Sequence, residues 1–339
     1  MATISVQDVQ KELNEYVKNN TEVISAGVYA AEVTLNKYCK TLTAVKGKFP
    51  QFHSILTRVV QGFKAEWQEL GESQFKHKML QAFHHKVNYP VIPSEILNSW
   101  LAELYTTGKT AAEHPISKWI MDDLLAKVTD DLEDLSQTGV RDDVNADGEF
   151  GKSLDGIATQ VANALANTAH PAFRIPLNAI TASNILDEVK SFEKQLPKKT
   201  RKKVKYLFMS DNSALTFADQ YEKEYGTNVN YTADGNMKTP LTKMEIIGLP
   251  SIPDDVIFAT VEGNMVRLID VQDKPSVTET QTLDYKLKVF MEFFLGYDFL
   301  INQLVYVAVF DGSERGLENA AQNALYYESE DLAVTPVTP

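Results

Sequence analysis

Apolar positions recur along this chain in two rhythms, and the switches between them mark the elements. Val6, Val9, Leu13 and Tyr16 keep 3-4-3 spacing, which predicts a helix over residues 6–20 with a narrow apolar seam. Ser5 stands at the N-cap position, with Asp8 three residues on. Such a seam docks either on the chain's own core or on a neighbouring subunit. Over residues 59–91 the period changes to two. Phe63, Ala65 and Trp67 alternate with Lys64, Glu66 and Gln68. Beyond Gly71, Phe75, Met79, Phe83, Val87 and Tyr89 share one parity, and Lys76, Lys78 and Lys86 share the other. Alternation on both sides of a glycine turn predicts a long β-hairpin, whose arms of about ten residues span about 35 Å. A two-stranded ribbon is marginal in isolation, so this one needs a partner surface.

The helical rhythm then returns. Pro93 and Ser94 open a short helix carrying Ile96, Leu97, Trp100, Leu101 and Leu104, and Gly108 ends it. Pro115 suits the first position of a second helix, which runs to about Thr138 with Gly139 as its stop. Ile116, Ile120, Leu124, Val128 and Leu132 fall at i+4 intervals, widened by Trp119, Leu125 and Leu135. Asp122, Asp123, Asp130, Asp131, Glu133 and Asp134 make the other face acidic. At 1.5 Å per residue this helix is about 36 Å long, well beyond the usual globular length. Shorter helices are predicted over 156–166, 181–196 and 213–225. The apolar run 204–209 reads as a buried strand. Residues 256–261 and 265–270 flank Glu262-Gly263-Asn264 and read as a hairpin. Leu283, Tyr285, Leu287, Val289, Met291 and Phe293 alternate with Asp284, Lys286, Lys288 and Glu292, a long strand whose expected antiparallel mate is 299–310. The whole is an α+β pattern without internal repeats.

Length and charge narrow the classes. The chain has 339 residues, enough for about two compact units with a core that needs no disulfides. Its one cysteine, Cys39, rules out an internal disulfide and fits a reducing compartment. No apolar run reaches the length of a membrane span: the best stretch, 293–310, is broken by Gly296, Asp298, Asn302 and Gln303. No basic segment followed by an apolar one opens the chain, so secretion is not expected. A net charge of −13 argues against a surface that wraps nucleic acid.

Catalytic signatures are missing. There is no Gly-x-Gly-x-x-Gly, His-Glu-x-x-His, Gly-x-Ser-x-Gly or Cys-x-x-Cys. Gly151-Lys152-Ser153 resembles the end of a phosphate loop, but Ala146 stands where the opening glycine belongs and an acidic helix precedes it. His77 and His85 share a parity, yet eight residues of strand set them about 27 Å apart, too far for one ion. Asp143, Asn145 and Asp147 place oxygen ligands at alternate positions, followed by Gly148 and Glu149, like the start of a calcium loop. The bidentate glutamate such a loop ends on is replaced by Leu154, with Asp155 one residue late; the plainer reading is a solvated acidic turn. The basic run 198–203 is either a solvated turn or a contact for nucleic acid or an acidic neighbour. No catalytic or organic-cofactor residue is assigned, and a metal enters only as this candidate calcium site.

The order of elements resembles the major capsid protein of tailed bacteriophages, the Hong Kong 97-type fold, and within it the shell proteins of phages of Bacteroidetes-type bacteria. The likeness covers about residues 1–312 and rests on Val204-Lys205-Tyr206-Leu207-Phe208-Met209-Ser210, on Pro253 to Phe258 leading to Gly263-Asn264 and Arg267 to Asp270, and on the last pair of long strands. It implies an N-terminal arm (1–58), an extended E-loop hairpin (59–92), a peripheral domain with a long spine helix (93–140 and 271–312), an axial domain (141–270) and an acidic tail (313–339). It implies a structural protein and not an enzyme. Copies would associate into hexamers and pentamers of an icosahedral head enclosing dsDNA without sequence-specific binding, assembled in the bacterial cytoplasm as the virion capsid. Scaffold, portal and decoration proteins are the expected partners, the scaffold as a separate chain since no long scaffolding segment precedes the arm. No membrane is involved. Two alternatives remain: an encapsulin-like nanocompartment shell, and a soluble metal-dependent hydrolase using the histidines and the acidic loop. Relatives with Lys–Asn crosslinks between subunits exist, but no residue here is assigned that chemistry.

Overall fold

The computed structural model describes residues 11–20, 28, 32–71, 73–108, 115–226, 231, 235–270, 279–283, 286–330 and 332. Helix α1 occupies 11–20, with Leu13 and Val17 buried; Ser5, Val6 and Val9 lie outside the described residues. Its seam docks on the chain's own core, and Ser117 donates to Glu12 across the contact. Helix α2 (Pro93–Thr107) ends on Gly108 at φ 66°. Helix α3 (Ile116–Thr138) follows Pro115, which caps the helix from outside its first turn. Leu124, Val128 and Leu132 are buried while Asp122, Asp123, Asp130 and Asp134 stay exposed, as the i+4 pattern requires.

Two sheets carry the fold. In the first, β1 (Lys40–Leu42), β9 (Met265–Ile269), β11 (Lys286–Phe299) and β10 (Glu279–Leu283) lie side by side, and β4 (Phe83–Val91) also pairs with β11. Asp284 and Tyr285, between β10 and β11, lie outside the described residues. In the second, the order is β5 (Phe173–Pro176), β12 (Val305–Val309), β8 (Phe258–Val261), β6 (Val204–Ser210) and β7 (Glu245–Leu249). Helices α3 and α4 (Ile157–Ala166) share one core with the first sheet; α5 (Ile185–Gln195) and α6 (Asp211–Tyr225) share another with the second. The second sheet is covered on both faces. On β6, Phe208 enters the first core while Leu207 and Met209 enter the other. On β12, Val305 and Val307 face one core, and Tyr306 and Ala308 the other. That explains the unbroken apolar run at 204–209.

Three expectations change. Strands β8 and β9 flank a turn but do not form a hairpin: β8 pairs with β6 and β12, and β9 with β1 and β11. Nor is 299–310 the mate of β11, because β12 pairs with β5 and β8. Both connections cross between sheets at one point, held by Asn264. Its Nδ2 donates to Thr260 Oγ1 at 2.8 Å and to Ile301 O at 2.9 Å, and its Oδ1 accepts from Ile301 N at 2.8 Å. The third change is the tail. Helix α7 (Ala320–Tyr326) follows 310, and Leu317, Tyr327 and Leu332 are buried in the second core. Residues 331 and 333–339 lie outside the described ones.

Asn264→Ala leaves Ile301 N without its acceptor and takes one of two partners from Thr260 Oγ1, whose donation to Leu304 O at 3.0 Å remains, and this costs about 1–3 kcal/mol. Denaturant unfolding of the unassembled chain checks this; a loss under about 1 kcal/mol would show that the crossing does not depend on Asn264.

Candidate assembly surface

Strands β2 (Lys48–Leu56) and β3 (Ser73–Gln81) pair antiparallel along their whole length, from Lys48↔Gln81 to Leu56↔Ser73. This is the ribbon, and it sits upstream of the expected hairpin. Residues 57–71 contain no strand, so Phe63, Ala65 and Trp67 alternate in sequence without a ladder to use it. The first arm was hidden by Pro50, which removes a ladder donor; a two-stranded ribbon tolerates it because each strand has an open edge. The second arm divides at Ala82, after which β4 leaves the ribbon and joins β11 from Phe83↔Leu295 to Val91↔Leu287. Gly296 lets the strands approach there, since a Cβ on it would stand 2.4 Å from Gln81 O. Gly71 closes the neck of the tip, at φ 89° and with Arg58 O 2.6 Å from where a Cβ would lie.

The ribbon's underside is mixed: Leu80 is buried, Ile55 is half-buried, and the half-buried polar residues Gln51, His53, Gln74, Lys76 and Lys78 lie beside them. Lys78 Nζ donates to Asn302 Oδ1 at 2.7 Å and to Phe299 O at 2.9 Å, and it pairs with Asp298, whose side chain is 8% exposed. Burial pushes the Asp298 carboxyl above the ordinary carboxylate range even though Lys78 opposes the shift. Farther out, His53 Nε2 meets Tyr326 Oη at 2.8 Å, and Arg58 pairs with Glu328 at 3.1 Å. The outward face carries exposed Phe52, Leu56, Phe75 and Met79, interleaved with exposed Ser54, Ser73 and His77. At the tip Phe63 is 100% exposed, and Val60 and Trp67 are 91% exposed. Single exposed apolar residues are ordinary, but four of them on one face of a ribbon with open edges and three more at its tip mark an interaction surface.

The other sequence-derived candidates do not converge. Asp143 accepts from Arg141 Nε at 2.8 Å, Asp147 pairs with Lys86 at 2.5 Å, and Asn145 donates to Asp142 at 2.9 Å. Those side chains are turned to protein cations and to one another, an arrangement that does not fit the convergent oxygen cage calcium takes. Among the described residues no group of three or more His, Cys, Asp or Glu is placed to hold a metal. His77 lies on the ribbon opposite Phe52, whereas His84 and His85 lie on β4. In the basic run, Arg201 caps α5 through Lys194 O and Leu196 O at 2.6 and 2.8 Å, a structural role for that residue.

Three histidines make stability pH-dependent. Burial, first of all, lowers the pKa of His53, of His170 and of His85, the last to about 4; Lys76 and Lys78 act on His170, Lys76 on His53, and Arg141 on His85 in the same direction. A folded-state pKa below the unfolded value means that protonation favours unfolding. Stability is therefore full above about pH 6.5 and falls as pH drops toward 4, with His85 alone contributing about 3 kcal/mol by then. His85→Gln should flatten the slope of unfolding free energy against pH by one proton in that window, and an unchanged slope would contradict the assignment.

No protein-family model and no curated protein matches the chain, but solved structures do. It is similar to the satellite phage P4 procapsid that includes the size determination protein, at 9% identity and a TM-score of 0.55, over 86% of this chain and 99% of that one. It is similar to the cyanophage A-1(L) capsid at 13% identity and a TM-score of 0.52, over 81% and 91%. A third likeness is to a Gordonia phage Cozz structure, at 12% identity and a TM-score of 0.51, over 81% and 85%.

Proposed function

The chain has the Hong Kong 97-type capsid fold, and we propose that it is a structural protein that builds a closed phage shell from many copies of itself. The single observation that carries this reading is the ribbon. It is fastened to its own subunit by Lys78 and His53, and it offers Phe52, Leu56, Phe75, Met79 and the apolar side chains of its tip, which no described part of its own chain covers. Burying a Phe, Leu or Met side chain is worth about 1.5–3 kcal/mol, so laying these side chains on a neighbour is a strong drive to associate. The unit around the second sheet would gather into hexamers and pentamers, and the spine helix α3 and the first sheet would form the shell's periphery. The virion capsid, formed in a bacterial cytoplasm with scaffold, portal and decoration proteins, is its setting, and dsDNA its content.

Expression of the full chain with and without a scaffold protein, followed by negative-stain microscopy, tests this. Closed shells or capsomer rings are expected. Stable monomers under both conditions would overturn the proposal, and native particles filled with a protein cargo instead of DNA would overturn the phage-head assignment.

A further inference from the structure

Five of the six residues 198–203 are cationic, in a chain whose net charge is −13. That balance excludes a surface that wraps nucleic acid as a whole, yet this one turn reverses it locally. The turn is held firmly. Arg201 N donates to Pro197 O at 2.8 Å, Lys203 N to Thr200 O at 2.7 Å and Lys198 N to Glu330 Oε1 at 2.6 Å, and Tyr306 Oη donates to Thr200 Oγ1 at 2.6 Å. Arg201 turns inward to the carbonyls at the end of α5. Lys198, Lys199, Lys202 and Lys203 stay exposed, and none of them pairs with a carboxylate among the described residues. The carboxylates beside the turn are already engaged. Arg315 pairs with Glu330 at 2.9 Å, Lys205 pairs with Glu262 at 2.6 Å, and Glu193, 1% exposed, accepts from Leu241 N and Thr242 N.

Four like charges fixed on one turn repel one another, and a polyanion laid across them relieves that repulsion. The class of polyanion follows from what surrounds the lysines. Their apolar neighbours Leu196, Pro197 and Val204 are all buried, so the patch has no apolar centre. Protein interfaces are built around such a centre and are depleted of lysine, whereas a phosphate backbone is held by cationic side chains without one. Arginine, the side chain that most often reads guanine, is present here only as the inward-turned Arg201. The exposed groups are ammonium ions, which meet phosphates as point charges and carry no base information. At physiological salt the Debye length is about 8 Å, so a phosphate at the turn is screened from acidic surfaces farther away. Resting on the shell reading above, we infer that Lys198, Lys199, Lys202 and Lys203 contact the phosphate backbone of the enclosed duplex DNA, independently of its sequence.

The first test titrates the full unassembled chain with a mixed-sequence DNA duplex at several salt concentrations. Four phosphate contacts give a slope of log affinity against log salt of about −3 to −4, a loss of about a hundredfold between about 50 and 200 mM salt. Replacing Lys198, Lys199, Lys202 and Lys203 one after another by Gln should flatten that slope by about one for each lysine removed. All four side chains are exposed and the hydrogen bonds of the turn belong to other groups, so the quadruple variant should fold and form shells like the parent. No duplex binding by the parent, or the same slope in parent and quadruple variant, would overturn the inference. The second test acetylates lysine amines in DNA-filled particles and in particles emptied of DNA, with mass spectrometry as the readout. The four lysines should be protected in filled particles only. Protection in both would place this face against a second copy, and reactivity in both would leave a solvated turn; either result overturns the inference while the shell reading stands. Duplex binding through these lysines by a chain that never forms shells would keep the phosphate surface and overturn the shell reading.

Discussion

Shortening the ribbon should abolish assembly and leave the subunit folded. The cut has to respect the register. His53 faces Lys76, so replacing residues 54–75 with Asn-Gly closes the ladder by a two-residue turn and keeps Gln51 opposite Lys78. The Lys78 anchor to Asp298 and Asn302 then survives, as does the His53 contact to Tyr326. What disappears is Leu56, Phe75 and the whole tip with Phe63 and Trp67, all exposed in the isolated chain. Because those side chains bury nothing at home, the thermal midpoint should stay within about 5 °C of the parent. Light scattering and microscopy should show no shells at concentrations where the parent assembles completely. Assembly at the parental concentration would remove the ribbon from the argument, and an unfolded product would show that the tip belongs to the core. A cut reaching Tyr89 is a different experiment, since it removes β4 and its nine-residue ladder with β11.

The largest stability loss is expected from Lys78→Met. Asp298 is nearly enclosed, and Lys78 supplies its cation while also satisfying Phe299 O and Asn302 Oδ1. Removing one partner of a buried ion pair leaves the other charge without compensation, a cost of about 3–5 kcal/mol. Adding Asp298→Asn takes away the stranded charge and keeps an acceptor for Phe299 N, which Asp298 Oδ1 now binds at 2.7 Å, so the double variant should recover more than half of the loss. Denaturant midpoints of the unassembled chain decide this. If the double variant were no more stable than Lys78→Met alone, the damage would lie in lost packing of the lysine stem and not in the unpaired carboxylate.

The elements that repeat an apolar pattern at one fixed spacing were readable without the structure. Helix α3 starts one residue from where Pro115 placed it and ends at Thr138, and the run 204–209 is a strand buried on both faces. The order of these elements also carried the likeness to the capsid fold, which solved neighbours bear out. Pairing was not readable. Alternation says that a segment is extended, but nothing in it names the strand it joins. Thus 59–70 looked like an arm of the ribbon and carries no strand, and 256–270 looked like a hairpin and instead spans two sheets. The acidic loop had the ligand types for calcium, but Arg141 and Lys86 take two of its carboxylates. The local periods that set helix and strand are properties of neighbouring residues and survive in the sequence. Strand partners and the Lys78–Asp298 anchor across 220 residues come from distant segments meeting, and only the folded chain decides those meetings.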